Sequence, residues 1–283
     1  MKTNIQQTPE LRRLLVASQK PIDCDPEQLL CERMNEAAGD KTGYDCPVCK
    51  NKGVNYRISA ENGSIVAVPC SCIPIRETVK NARSSGLGDL ISKCTLSNFR
   101  TDHEWQKKAF ETAKKFLSDP DGKWLFAGGQ VGSGKTHLCT AVVRQLLGQG
   151  KRALYVIWRT EAQYLRSRVN EDEYRKRVDK LSEVPVLYID DFLKIENGEY
   201  QRPKLMAAPV PTSGDKHIAF DIINARYNRS DSITLISSEH FLDEINAFES
   251  AVASRIMERC HGGRFVIEIG RSADRNMRYS NDL

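Results

Sequence analysis

Gly129-Gln130-Val131-Gly132-Ser133-Gly134-Lys135-Thr136 satisfies G-x-x-x-x-G-K-[ST], with the apolar run Trp124-Leu125-Phe126-Ala127 just before it and a helix-like run from His137 to Leu147 just after. A loop of this composition between a strand and a helix is built for phosphate. Its glycines let backbone N–H groups turn inward, and the helix that follows adds the positive end of its macrodipole, so a triphosphate such as that of ATP meets donors and a favourable field. Lys135 is expected to reach the β and γ phosphates, and Thr136 to place its hydroxyl on Mg²⁺. The whole stretch from Gly129 to His137 is read as nucleotide-binding.

Downstream, Val184-Pro185-Val186-Leu187-Tyr188-Ile189-Asp190-Asp191 is an apolar run that ends in two carboxylates. Mg²⁺ prefers hard oxygen ligands and usually keeps several waters, so Asp190 at the end of this strand is expected to order the metal. Asp191 is then placed to polarise the attacking water, and its short side chain predicts slow hydrolysis until a partner adjusts the site. A further strand, Ile233-Thr234-Leu235-Ile236-Ser237, runs into Ser238 and Glu239. An additional-strand ATPase carries a polar residue here, between the loop and the metal carboxylate, and Ser238 or Glu239 is the candidate. Arg255 and Arg259 stand at i and i+4 and share a helix face. Either could reach a neighbouring subunit's γ-phosphate as an arginine finger, or both could be exposed charges pairing with Glu249 or Glu258.

From Lys123 onward apolar strands alternate with helices, the pattern of an α/β fold with a parallel sheet covered on both faces. Strands are expected at 124–127, 153–158, 184–189, 232–237 and 264–269. Residues 101–283 form the expected ATPase domain, opened by a helix with capping-box spacing at Thr101-Asp102-His103-Glu104. Residues 87–100 read as a linker and 1–86 as a small N-terminal module with short helices at 8–18, 26–38 and 75–85. Residues 270–283 are too few for a helical lid over the nucleotide, so the pocket is expected to be closed by a second subunit.

The module carries Cys46-Pro47-Val48-Cys49 and Cys70-Ser71-Cys72 at the ends of a hairpin, 54–59 and 65–68, turning at Asn62-Gly63. Folding the hairpin brings the two pairs together, as a four-coordinate structural Zn²⁺ requires. Buried free thiols and an iron–sulfur cluster are the alternatives. Nine cysteines without a leading apolar segment suit reduced thiols and a cytoplasmic setting.

With 40% hydrophobic and 28% charged residues in 283, the chain has an ordinary globular composition, and its net charge of +5 is unevenly placed. Residues 144–180 hold ten basic residues against five acidic, among them Lys151, Arg152, Arg159, Arg166, Arg168, Arg175, Lys176 and Arg177. With Trp158 and Tyr164 as stacking surfaces this is either a single-stranded DNA face or a solvated helix face.

On the stretches Gly132-Ser133-Gly134-Lys135-Thr136-His137-Leu138, Tyr188-Ile189-Asp190-Asp191, Ile222-Ile223-Asn224-Ala225-Arg226-Tyr227-Asn228, Ser237-Ser238-Glu239 and Ser254-Arg255-Ile256-Met257-Glu258-Arg259, the chain resembles the DnaC/DnaI-type replicative helicase loaders. These are AAA+ ATPases that are also similar to the IstB transposition helpers. The resemblance runs from about Leu96 to Ile269 and extends more loosely to the four-cysteine module. It implies that the module docks on a hexameric replicative helicase, that Arg259 is the arginine finger with Arg255 nearby, and that Arg275 approximates the second sensor. It further implies a nucleotide-dependent oligomer on single-stranded DNA, with contacts from 144–180 and the helix around Arg226 and Tyr227. The segment 194–216, rich in proline, departs from the family pattern. The rival readings are an ATPase regulator of a transposase and a small-molecule kinase.

Overall fold

The computed structural model describes residues 25–84, 88–119, 123–194 and 210–279, divided into two compact units that separate between Cys70 and Ser71, with 42–44 grouped with the second. The expected helix at 8–18, Cys24 and most of the 194–216 segment lie outside the described residues.

The first unit is a helix on a hairpin. Helix α1 (Pro26–Glu36) starts where Asp25 accepts the Glu27 N–H at 3.1 Å and proline occupies the first position, whose N–H has no helical partner to lose. It ends at Glu36, before the expected 38, and Lys52 donates to the Asn35 carbonyl at 2.8 Å near the helix's negative end. Strands β1 (Val54–Ile58) and β2 (Ile65–Pro69) pair antiparallel with Val54 opposite Pro69 and Ile58 opposite Ile65. The Asn35 amide clamps the helix to the hairpin, accepting the Tyr56 N–H and donating to the Tyr56 carbonyl, both at 2.8 Å.

In the second unit the helices come first. Helices α2 (Cys72–Ser84) and α3 (Gly88–Lys93) fall in the stretch read from sequence as N-terminal module and linker, yet they pack on the α/β core of this unit. Helix α4 (Glu104–Ser118) starts at the expected residue, but its box is two positions later than Thr101 and Glu104: the His103 N–H donates to the Gln106 side chain at 2.9 Å.

There follow β3 (Trp124–Gly129), α5 (Lys135–Gly148), β4 (Ala153–Ile157), α6 (Trp158–Arg166), α7 (Asp172–Glu183), β5 (Val186–Asp190), α8 (Ser213–Tyr227), β6 (Ile233–Ser237), α9 (Leu242–Phe248), α10 (Ser250–Arg259) and β7 (Val266–Ile269). The five strands form one parallel sheet in the order β4-β5-β6-β3-β7. Strand β6 therefore lies between the strand that leads into the glycine loop and the strand that ends in Asp190, which is the additional-strand AAA+ arrangement. Strands β3, β5 and β6 are buried at every position, as a sheet covered by helices on both faces demands. Burial of each large apolar side chain, Trp124, Phe126, Tyr188 and Ile236 among them, contributes roughly 1.5–3 kcal/mol, so the core holds the carboxyl ends of these strands in fixed register. Among the described residues, no helix is long and apolar enough to cross a membrane.

Candidate functional site

The glycine loop crosses from β3 to α5 over residues 130–134, at the carboxyl edge of the sheet. Gly134 caps α5 with φ +87°, and Gly132 has φ +73° with Asn276 so close that a Cβ there would sit 1.9 Å from its Oδ1. Both positions require glycine. Ser133 donates to the Gln130 carbonyl at 2.7 Å, Gln130 accepts the Ser272 N–H at 3.1 Å, and Val131 points outward. The loop is thus shaped by the segment after β7 as well as by its own glycines.

Lys135 is 8% exposed and its ammonium donates to the carbonyls of Gly129 and Gln130 at 2.9 and 2.5 Å. Burial pulls its pKa down to about 8, against the opposing pull of Glu239, Asp191, Cys139 and Asp190. A cation kept dry at a helix N-terminus is matched to a polyanion. His137, the third residue of α5, is held by the chain before α4: its Nε2 lies 3.1 Å from the Thr95 carbonyl and 3.0 Å from Asn98 Oδ1, with Phe99 edge-on to the ring. The chain preceding α4 is thereby tied to the first turn of α5.

Thr136 Oγ1 donates to Asp190 Oδ1 at 3.0 Å, joining the loop to the end of β5 across 54 residues of sequence. Asp190 gathers further donors: Tyr188 at 2.8 Å and Ser237 on the same oxygen, and Tyr155 at 2.9 Å on Oδ2. Burial, then the charge of Asp190, pushes the phenols of Tyr155 and Tyr188 far upward, so both stay protonated and keep donating. A buried carboxylate beside a hydroxyl is the hard-oxygen pair that a Mg²⁺ ion with retained waters requires.

Strand parity decides which polar residue of β6 meets Asp190. Ile189 is in register with Ile236, which puts Ser237 beside Asp190 and turns Ser238 to the other face. Ser238 instead donates to the Phe192 carbonyl at 2.8 Å and accepts the His240 N–H at 3.1 Å, so it shapes the turn after β5. Glu239 acts on the site through its charge, felt by Lys135, and through an ion pair with Lys194 at 2.6 Å; Lys194 also holds Asp191 Oδ2 at 3.1 Å. Burial raises the Asp191 pKa despite this cation.

Arg255 donates to Asn224 Oδ1 at 3.1 Å and the Ala251 carbonyl at 2.8 Å, over the rings of Phe220 and Tyr227. Arg259 donates to the Arg229 carbonyl. These partners lie on α8, α10 and the turn after α8, and none is a loop residue or a site carboxylate. Arg275 donates to the Gly270 carbonyl at 3.2 Å.

Cys46, Cys49, Cys70 and Cys72 are all buried, and their sulfurs lie within 4.8 Å of one another. Cys46 and Cys70 are 3.9 Å apart, close to the ~3.8 Å that four sulfurs at zinc distance from a common centre would show. The Gly53 N–H donates to Cys49 at 3.2 Å and Arg76 Nε to Cys72 at 3.4 Å, contacts that favour thiolates. Lys50, Asn51 and Gly53, all with positive φ, form the tight turn after the first pair. The donor set fits Zn²⁺.

The basic stretch 144–180 separates into two groups. Arg144 donates to the carbonyls of Ile91 and Ser92, Arg166 pairs with buried Asp215 at 2.6 Å, and Arg177 grips Glu161 with two bonds of 2.6 Å. Lys151, Arg152, Arg175, Lys176 and Lys180 are exposed. Two readings of aromatic and basic residues are corrected here. Trp158 is 1% exposed and packs on Phe192, so it offers no stacking surface. Arg226 is fully buried and cannot touch a strand; it donates to Thr234 Oγ1 and to the carbonyls of Leu181, Ser182, Val184 and Ile233.

Over 125 residues the chain is 28% identical to the replicative helicase loader DnaC of Escherichia coli, a match spanning 42% of this chain and 50% of DnaC. The chain resembles the DnaC-type helicase loaders. It is also 28% identical to the phage-like element PBSX protein XkdC of Bacillus subtilis over 243 residues, 82% of this chain and 85% of that protein. The crystal structure of DnaI superposes with a TM-score of 0.46 at 22% identity, covering 66% of this chain and 92% of that one. No protein-family model matches.

Sequence reasoning missed Tyr155, Tyr188, Ser237 and Lys194. Tyr188 was within reach, because a residue two before Asp190 on a strand shares its face. Tyr155 was not, since its pairing with Tyr188 depends on the register of β4 against β5.

Proposed function

We propose that this chain is an ATP-switched helicase loader: it binds Mg²⁺-ATP at the glycine loop, assembles on single-stranded DNA in the cytoplasm, delivers a hexameric helicase, and lets go after hydrolysis. The observation that carries the nucleotide part is the 3.0 Å contact between Thr136 and Asp190, which puts a loop hydroxyl and a strand carboxylate together at the end of an additional-strand sheet. Lys135 would hold phosphate, Thr136 and Asp190 the metal, and Asp191 the attacking water. Bound Mg²⁺ would neutralise charge building up on the phosphates. Ser237, bonded to Asp190 and accepting the Asp191 N–H at 3.3 Å, is the residue of β6 best placed to register the state of the site, with Ser238 and Glu239 supporting it.

Arg255 and Arg259, with partners away from their own loop, suit a role across a subunit boundary, Arg259 as the finger and Arg255 beside it. Arg275 is the proposed second sensor. The zinc module at 46–72 and the helices around it would carry the helicase contact. Exposed Lys151, Arg152, Arg175, Lys176 and Lys180 are the strand contacts, each lowering log K for single-stranded DNA by about 0.7 per log unit of salt.

The direct test is to mix the protein with replicative helicase, ATP and single-stranded DNA and size the product. A nucleotide-dependent complex that is lost in Lys135→Ala supports the reading. Unchanged assembly by that variant removes the nucleotide switch, and capture of a transposase instead of a helicase redirects it.

A further inference from the structure

The turn after β5 is strained, and the strain has a visible product. Asp191 and Leu193 both have positive φ, +53° and +63°, although neither is glycine and Leu193 is bulky and fully buried. Such backbone is unfavourable for these residues and persists only where the surroundings over-determine it. Here they do. The Phe192 N–H donates to the Ser237 carbonyl at 2.7 Å, its own carbonyl accepts from Ser238, its ring packs edge-on to Trp158, and the Lys194 N–H closes the turn on the Asp191 carbonyl at 3.0 Å.

The turn brings the Lys194 ammonium between two carboxylates, 3.1 Å from Asp191 Oδ2 and 2.6 Å from Glu239 Oε1. The ammonium thereby occupies the Asp191 oxygen that a water would otherwise use. The lysine is 39% exposed, on a flexible four-carbon stem, so a competing anion can draw it away.

We propose that Lys194 is a latch on hydrolysis, holding Asp191 and Glu239 together so that the water-activating carboxylate is occupied in the resting protein. This rests on the reading of Asp191 as the group that polarises water. Lys194 is thus a positioning residue that acts through Asp191. It restrains turnover without contributing to nucleotide binding.

The test is steady-state ATP turnover of the full chain carrying Lys194→Met, with nucleotide affinity measured separately by a fluorescent ATP analogue. Expected is a kcat raised about three- to tenfold, a modest part of what a positioned base contributes, with KM and nucleotide affinity unchanged. Lys194→Arg should restore the slow rate, and adding Asp191→Asn to Lys194→Met should abolish the gain. Urea midpoints of Lys194→Met and Lys194→Arg that match wild type exclude a folding defect peculiar to the lysine variants. A kcat unchanged, or lowered with affinity intact, overturns the latch, the second result making Lys194 a cation that assists the reaction. The underlying ATPase reading fails differently: the wild-type chain would neither bind nor hydrolyse ATP.

Discussion

Lys135 is where the physics of single residues bears most directly on function. Burial lowers its pKa to about 8, so near neutral pH the free protein is mostly charged and ready for phosphate. A bound polyanion raises that pKa again, which gives the sign of the pH effect. Below about 8 binding needs no extra proton. Above it the free protein must take one up, so Mg²⁺-ATP affinity should fall about tenfold per pH unit until the pKa of the bound state is reached. Fluorescence titration between pH 7 and 10 checks this, and a flat profile would mean that the amine is not the group facing phosphate. The residue scale is also where sequence was most legible. The loop and Asp190 could be read because a contiguous motif fixes them. Ser237 could not be separated from Ser238 and Glu239 until strand register supplied parity, and the proximity of Lys194 to Asp191 depends on two positive-φ residues that no periodicity announces.

At the scale of elements, a helix residue that looked functional is structural. Helix α8 was offered for DNA contact through Arg226, but that guanidinium lies within the fold and ties the end of α7 and the start of β6 to α8 through four carbonyls and Thr234. An arginine near the end of a helix looks exposed in sequence, and only the assembled layers show it capping the carbonyls at the end of α7. Arg226→Met should therefore leave several buried acceptors unpaired and cost on the order of 3–5 kcal/mol, read as a shift of the urea midpoint. Stability within 1 kcal/mol of wild type would contradict the clamp. The hairpin, by contrast, was legible from its turn and paired cysteines. The buried sulfurs of Cys46, Cys49, Cys70 and Cys72 predict about one zinc per chain by elemental analysis, and Cys49→Ser should lose both the metal and the protection of residues 46–70 from proteolysis. Metal-free protein with an intact first unit would contradict a structural zinc.

For the whole molecule, the proposal is that the hydrolytic centre is shared between copies. Each chain supplies a loop, Asp190 and Asp191 at one place, and two arginines whose partners all lie on another set of elements. The most direct measurement mixes two inactive proteins, Lys135→Ala, which cannot hold ATP, and Arg255→Ala/Arg259→Ala, which cannot lend a cation, and follows ATP turnover against mixing ratio. A shared centre predicts activity in the mixture well above the sum of the two alone, greatest near equal amounts, because the arginines of one chain complete the site of the other. Turnover that never exceeds the sum, or an undiminished rate from the double arginine variant by itself, would contradict it.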